Sequence, residues 1–425
     1  MHTLKLFLLL FLIGVNICFV SGQTQQSKLQ VVLADMGFEN IRMLEHNDSL
    51  ILAVENNVYR WNIKAIEALL DSAAVYAPNK QLKLYFLQND IPALQLEVAL
   101  AHWQYFRETA SGSPGLQESL VIERSIDDTW KNLKGRSPLR SQMNKIDFVL
   151  YPQLRITNRL LTQLYEVQFN IAPAMEVVLW KGMQFTGQVI FPIINDVEIE
   201  DTKENVEYGA RNFLITTDEG HYIRPGFITL SQDFRLQNRW SGNVTLGKFN
   251  TYRYGLSSSI VHYFKKNKWS ITGQLGLTGS SHFIDGTWNA GKMDKLNAAV
   301  TVAYFYPQYN LETRLTMATY LNHDKGVRMD CIRRFSETAI GFYAMYSGEK
   351  MNGGFKFTIP FPGTKRRRKH NLRCRLPYYF DSDYNAGYAV YYGKEFETRP
   401  NENLTENFTN PLFIKNQILT NSLYK

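Results

Sequence analysis

Cysteine is scarce. Three in 425 residues, at positions 18, 331 and 374, are too few for a disulfide-stapled scaffold. Long apolar runs are missing too: after residue 22 no stretch reaches the roughly 18 uninterrupted apolar residues of a spanning helix, which excludes a helical transporter. The sequence has no Gly-x-Ser-x-Gly elbow, His-Glu-x-x-His or Cys-x-x-Cys, and no phosphate-cradling Gly-x-x-x-x-Gly-Lys completed by Ser or Thr, so it gives no signature of common hydrolase, zinc, thiol-redox or nucleotide chemistry. Charge is modest, at 20%, against 44% hydrophobic residues, a balance too apolar for a disordered chain. What is plentiful is aromatic: 24 Tyr, 26 Phe and 7 Trp, on a chain of formal charge +8.

Residues 1–22 combine a basic start at Lys5, the apolar run Leu6 to Val20 and the small pair Ser21-Gly22 before polar Gln23-Thr24-Gln25. This is the pattern of a secretory signal peptide, with cleavage expected after Gly22. The alternatives are a retained anchor, for which the run is short, and lipidation at Cys18, for which Val15-Asn16-Ile17 are too bulky. Cleavage removes Lys5 and Cys18, lowering the charge from +8 to +7 and leaving Cys331 and Cys374. These two are expected as small strand-face residues, with pairing in an oxidising compartment the alternative.

From Lys28 to about residue 108 the periodicity alternates between helix and strand. Leu29, Val32, Leu33 and Met36 have helical spacing and stop at Gly37. Ile41 and Met43, then Leu50, Leu52 and Val54, alternate around the turn residues His46-Asn47-Asp48. Helical spacing returns from Trp61 to Ala73, and Leu82 to Leu87 and Leu94 to Leu100 follow as strands. The expectation is an α+β module of order αββαββ, large enough for its own core. Residues 109–144, with Ser-Gly-Ser-Pro-Gly and Gly135-Arg136-Ser137-Pro138, read as a linker.

After Lys145 one alternation repeats. Ile146, Phe148, Leu150, Pro152, Leu154 and Ile156 face one way; Trp269, Ile271, Leu275 and Leu277 oppose Ser270, Thr272 and Gln274; Leu311, Leu315 and Met317 oppose Glu312, Arg314 and Thr316. Further strands are expected at 164–172, 174–181, 184–192, 226–236, 238–248, 252–264, 296–306, 326–335, 338–347, 353–361, 371–380 and 386–396, with Pro173 and Lys181-Gly182 among the turn signals. Alternating segments of about ten residues suit tilted strands crossing a bilayer. Strand length, aromatics at strand ends such as Tyr304-Phe305-Tyr306 and Tyr378-Tyr379-Phe380, and the export signal favour an antiparallel transmembrane β-barrel over a soluble sandwich. The fold class expected is thus an α+β N-terminal module followed by an all-β barrel of about 12–16 strands over residues 145–396. Residues 397–425 form a C-terminal tail, and the connection 195–220 is read as an external lid or internal plug.

Candidate chemistry is sparse. Glu45, His46 and Asp48 could ligate a metal but lie in a turn where polar residues are the default, and His262 with a serine partner could serve a barrel esterase but reads more simply as a packed strand residue. No cofactor, metal or catalytic residue is expected. Glu312, Arg314, Tyr320, Arg328, Asp330, Arg334, Lys356, Arg373 and Arg375 fall on lumen-facing positions, where cations and aromatics could hold a substrate weakly. The alternative is that opposite charges pair there and hold the barrel's shape. The basic run Lys365-Arg366-Arg367-Arg368-Lys369-His370 reads as a solvated loop or a contact for anionic lipid or an acidic polymer; nucleic acid is not expected of an exported chain.

Gly37-Phe38-Glu39-Asn40-Ile41, Val54 to Arg60, Tyr222-Ile223-Arg224-Pro225-Gly226, Leu246-Gly247-Lys248-Phe249 running to Tyr254-Gly255, and Gly353-Gly354-Phe355-Lys356-Phe357-Thr358-Ile359-Pro360 resemble, in order, words of the YjbH/GfcD family of exopolysaccharide-associated outer-membrane proteins. The resemblance implies a periplasmic N-terminal module on an outer-membrane barrel that works with capsule or exopolysaccharide export machinery, and supplies no catalytic residues. The function expected is non-enzymatic help in polysaccharide export. Its partners would be the polysaccharide, outer-membrane lipid and periplasmic export proteins bound through residues 28–108. A general porin, or an outer-membrane lipid hydrolase, are the alternatives.

Overall fold

The structure is a computed structural model that describes residues 27–109, 114–159, 163–196, 222–236, 239–249, 252–284, 286–385 and 392–421. The signal peptide and most of the connection 195–220 lie outside the described residues.

The N-terminal elements form because local signals and burial agree. Helix α1 (Lys28–Met36) starts at a capping box between Ser27 and Gln30 and ends at Gly37, whose φ of 107° only glycine adopts without strain. Strands β1 (Glu39–Glu45) and β2 (Ser49–Glu55) make a hairpin, α2 (Asn62–Tyr76) crosses over to β3 (Gln81–Gln88), parallel to β2, and β4 (Ile91–Ala99) returns antiparallel. Residues 109–144, expected as a linker, instead carry structure after α3 (Leu100–Thr109): α4 (Pro114–Ser119), β5 (Val121–Glu123) and α5 (Trp130–Lys134). Strand β5 extends the sheet to the order β1-β2-β3-β4-β5, and Leu139 bridges Ile41.

Both faces of this sheet are covered, which is why β2 is an unbroken apolar run. Leu50, Leu52, Val54, Leu84 and Phe86 pack under α1 to α3, while Ile51, Ala53, Tyr85 and Leu87 pack against Trp130 and Leu133. Each fully buried Leu or Phe contributes about 1.5–3 kcal/mol.

The remaining chain is a long antiparallel meander: β6 (Ile146–Arg159), β7 (Gln163–Trp180), β8 (Met183–Asn195), β9 (Arg224–Arg235), β10 (Trp240–Lys248), β11 (Arg253–Tyr263), β12 (Trp269–Ile284), β13 (Thr287–Ala290), β14 (Lys295–Tyr306), β15 (Leu311–Thr319), β16 (Lys325–Phe335), β17 (Thr338–Ser347), β18 (Lys350–Pro360), β19 (Leu372–Arg375) and β20 (Tyr379–Asn385). Neighbours in sequence are neighbours in the sheet, apart from β13, which pairs β12 alone, and β19. Pro173 does not break the chain into two strands; it sits inside β7, where pairing with β8 lapses between Ile171–Phe191 and Ala174–Gln188 because proline has no N–H to give. The strand expected over 371–380 is split at Leu376-Pro377-Tyr378. Strand β19 lies parallel on β6 and β20 antiparallel on β18, so the two ends of the ladder are consecutive in the chain, although among the described residues no hydrogen-bonded pairing closes it. The closing strand expected at 386–396 is absent over its described part, 392–396, which has no strand structure.

The two faces of the meander differ. One row across five strands, Val300, Met317, Val327, Tyr346 and Met351, points outward and is exposed. The next inward row runs Thr301, Thr316, Arg328, Met345 and Asn352. Cys331 and Cys374 are free and exposed on the outward face.

The α+β module sits on one rim of the sheet. Gly182 N donates to Asn89 O at 2.7 Å, Arg235 Nη1 to Pro92 O at 2.8 Å and Arg366 N to Val58 O at 2.7 Å, and Arg60 pairs with Glu337 at 2.6 Å. Each joins a turn or strand end of the meander to the module.

Candidate functional site

The inward face is charged, and its charges are paired. Arg314 and Arg334 converge on Glu312, at 3.1 and 2.7 Å. Arg328 grips Asp330 through two nitrogens and lies 4.0 Å from the centre of the Tyr343 ring. Arg373 and Arg375 lie where β19 meets β6. Arg373 binds Asp147 and the Asn57 carbonyl of the module, and Arg375 binds Glu176 at 3.1 Å, with Arg368 reaching Asp147 at 2.5 Å. Of the two sequence readings for these residues, ion pairing describes the described geometry at Glu312, Arg314, Arg328, Asp330, Arg334, Arg373 and Arg375. Tyr320 is fully buried against Ala299, Ala318, Tyr343 and Met345, near the rim far from the module. Lys356 and Arg314 line the free volume, beside Asp381 and Asp383. His262 faces outward between Trp240 and Phe264, ring centroids 4.5 and 5.1 Å away, and its Nδ1 has no hydrogen-bond partner among the described residues. Glu45 is held by Lys80 at 2.8 Å.

What the sequence did not reveal is that the C-terminal segment runs along this inward face. At the far rim, Gly393 N donates to Asp324 Oδ2 at 2.8 Å and Lys394 O accepts from Leu321 N. Glu395 then approaches Arg328 at 3.9 Å, and Phe396 stacks on Phe249. Arg399 pairs with Asp233 at 2.7 Å, Leu404 N donates to Thr358 Oγ1 at 3.3 Å, and the Leu404 carbonyl accepts from Arg334. Phe408 lies under the Arg334 guanidinium, 3.4 Å from ring centre to Cζ. The segment has thus crossed from one rim to the other.

It ends in helix α6 (Pro411–Asn421). Asn410 caps it, accepting from Leu412 N at 2.9 Å, with Pro411 in the first turn where a missing N–H costs nothing. Phe413, Ile414 and Ile418 are buried in the module's own core, and Phe305 at the end of β14 joins them. Their helical spacing was the one available signal for this anchor. With the segment in place, a polar cavity of about 690 Å³ remains inside the meander. A second, of about 170 Å³, lies between the module, β19 and the segment.

At the module's seat on the rim, Glu55 is buried and accepts from Asn89 N at 2.6 Å, Asp90 N at 3.0 Å and Asn40 Nδ2 at 2.6 Å. Burial pushes its carboxyl up to about 7 against the opposite pull of these donors.

These features define a β-meander protein with a polar, occupied interior and an α+β module seated on one rim. The family model YjbH, described as exopolysaccharide biosynthesis protein YbjH, matches residues 18–371, and the chain belongs to that family. Strands β19 and β20 and the segment that crosses the interior lie beyond the matched residues. No curated protein matches the chain. Among solved structures, a triple-mutant porin of Rhodopseudomonas blastica is similar at 8% identity over 56% of this chain and 95% of that chain, with a TM-score of 0.28.

Proposed function

We propose that this chain is a non-enzymatic outer-membrane β-barrel that helps carry an exopolysaccharide out of the cell, with its α+β module in the periplasm meeting other export proteins. The observation that carries the reading is the division of the meander's faces. An exposed apolar row such as Val300, Met317, Val327 and Met351 is a liability in water and suits lipid, while the inward face holds ions and polar groups. Strands β14 to β18 have 9 to 12 residues, enough to cross a bilayer at a tilt. The turns on the module's side include the two-residue Lys181-Gly182 and Ser336-Glu337, as short as periplasmic turns usually are. Family membership supports the link to exopolysaccharide.

In this reading the resting interior is closed. The C-terminal segment crosses it from rim to rim, and polymer passage requires the segment to move aside. That favours a dedicated, gated path over a general porin, which needs a standing opening. A lipid hydrolase gains no support from His262, whose near neighbours are rings.

The test is fractionation of expressing cells, with the outer-membrane fraction run boiled and unboiled, beside an assay of polymer on cells lacking the chain. A heat-dependent shift in that fraction and loss of surface polymer are expected. A soluble protein with no shift, or unchanged surface polymer, overturns the reading.

A further inference from the structure

The rim that carries the module has an outward belt of rings followed by a belt of exposed cations without carboxylate partners among the described residues. Trp240 stacks near His262, and Trp269, Tyr304 and Tyr306 form a chain with centroids 4.5 and 4.3 Å apart. All but Tyr304 and His262 are more than a third exposed. Directly beyond Trp269 the β11–β12 turn presents Lys265, Lys266 and Lys268, all exposed. At the end of β16 the exposed Arg333 lies over the Phe335 ring at 5.3 Å.

The basic run in the β18–β19 connection divides by register. Arg366 and Arg368 turn inward: Arg366 Nη1 donates to the Leu376 and Pro377 carbonyls at 2.6 Å, and Arg368 to the Ile146 carbonyl at 3.0 Å. Lys365, Arg367 and Lys369 alternate with them and are exposed, although Lys365 Nζ also lies 4.9 Å from the centre of the module's Tyr59 ring. None of the seven exposed cations named here has a carboxylate partner among the described residues; Glu337, the acid in these turns, is taken by Arg60. The opposite rim is different in kind, with exposed Asp294 and Glu349 among Lys292, Lys325 and Lys350.

A belt of Trp and Tyr marks where hydrocarbon gives way to headgroups, and long basic side chains just beyond it reach phosphates while their stems stay against apolar surface. Seven exposed cations with no carboxylate partner among the described residues, gathered on one rim, select for negative charge at short range. We propose that this rim docks onto anionic phospholipid headgroups of the leaflet on the module's side, with the β11–β12 turn and Lys365, Arg367 and Lys369 as the contacts. The proposal rests on the barrel reading above. It adds a lipid partner and an orientation: the anionic leaflet lies on the same side as the module, held down by exposed members of the basic run, while Arg366 and Arg368 tie module to sheet.

The experiment uses the full chain, folded into vesicles of phosphatidylcholine alone or mixed with phosphatidylglycerol. Folding is followed by the unboiled band shift, and retained lipid by native mass spectrometry. Wild type is expected to fold several-fold faster into the mixed vesicles and to retain phosphatidylglycerol over phosphatidylcholine. Replacing Lys265, Lys266, Lys268, Lys365, Arg367 and Lys369 by Gln removes both preferences while the protein still folds into phosphatidylcholine; Lys325→Gln with Lys350→Gln at the opposite rim leaves them intact. Equal behaviour of wild type and the six-site variant overturns the proposal, as does equal loss in the opposite-rim control. Failure of wild type to shift in either vesicle overturns the barrel reading itself.

Discussion

Phe396 lies face to face with Phe249, ring centroids 5.2 Å apart and planes 3° from parallel, on the inward side of the meander. The Phe396 ring also fills the space above Gly276, where a Cβ would come within 2.7 Å of it. A residue from the C-terminal segment is therefore packed into β10–β12 as closely as a core side chain. The segment is part of the folded interior, and its removal would have to break this stack, the Arg399–Asp233 pair and the Arg334–Leu404 bond.

The division of faces makes opposite predictions for one substitution at two positions. Val300→Arg puts a cation on the exposed apolar row and is expected to cost about 2–4 kcal/mol if that row lies at mid-membrane. Ser257→Arg points toward the interior cavity and is expected to leave folding into vesicles nearly unchanged. Urea titration of vesicle-folded protein, read by the unboiled band, compares them; equal costs would remove the lipid-facing assignment.

The anchor of the segment can be loosened without touching the strands. Ile418 is fully buried in the module's core, so Ile418→Ala is expected to cost about 2–5 kcal/mol locally and to free α6. Trypsin should then cut at Lys415 faster than in wild type, while the unboiled band position stays the same. Unchanged proteolysis would show that α6 is held by something other than this core.

Glu55 gives the module a pH dependence of known sign. Its folded value, about 7, is above the ordinary 4.5, so the folded state holds the proton more tightly. Stability is full below 4.5 and declines as pH rises through about 7, by about 3 kcal/mol in all. Hydrogen-exchange protection of β2 and β3, corrected for intrinsic rates, should fall over that range. Glu55→Gln should flatten the profile, and a profile that rises with pH would reverse the assignment.

Much of this architecture was legible because it depends on neighbours in sequence. The alternation of Leu311, Leu315 and Met317 with Glu312, Arg314 and Thr316 is a local property, and it placed both faces of β15 correctly. Pro173 misled because its usual meaning as a turn signal yields when a strand can forgo one pairing. The site was less legible because its defining contacts are distant. Asp147 meets Arg368, Arg373 and Arg375 more than 200 positions away, so Arg373 and Arg375 could be placed on the lumen face but not the carboxylate they share. The segment from 392 onward has no periodicity of its own before α6. Its path is set by partners such as Asp324, Phe249, Asp233 and Thr358, scattered over four strand pairs.

The central claim is that a membrane barrel is held closed from within by its own C-terminal segment. Single-channel recording in planar bilayers tests it most directly, comparing wild type with Phe396→Ala/Arg399→Ala, which loosens the segment and leaves α6 and the strands intact. Wild type is expected to be nearly silent, and the double variant to open in discrete, long-lived conductance steps. A steadily conducting wild type, or a variant as silent as wild type despite a normal heat-dependent band shift, would contradict the account.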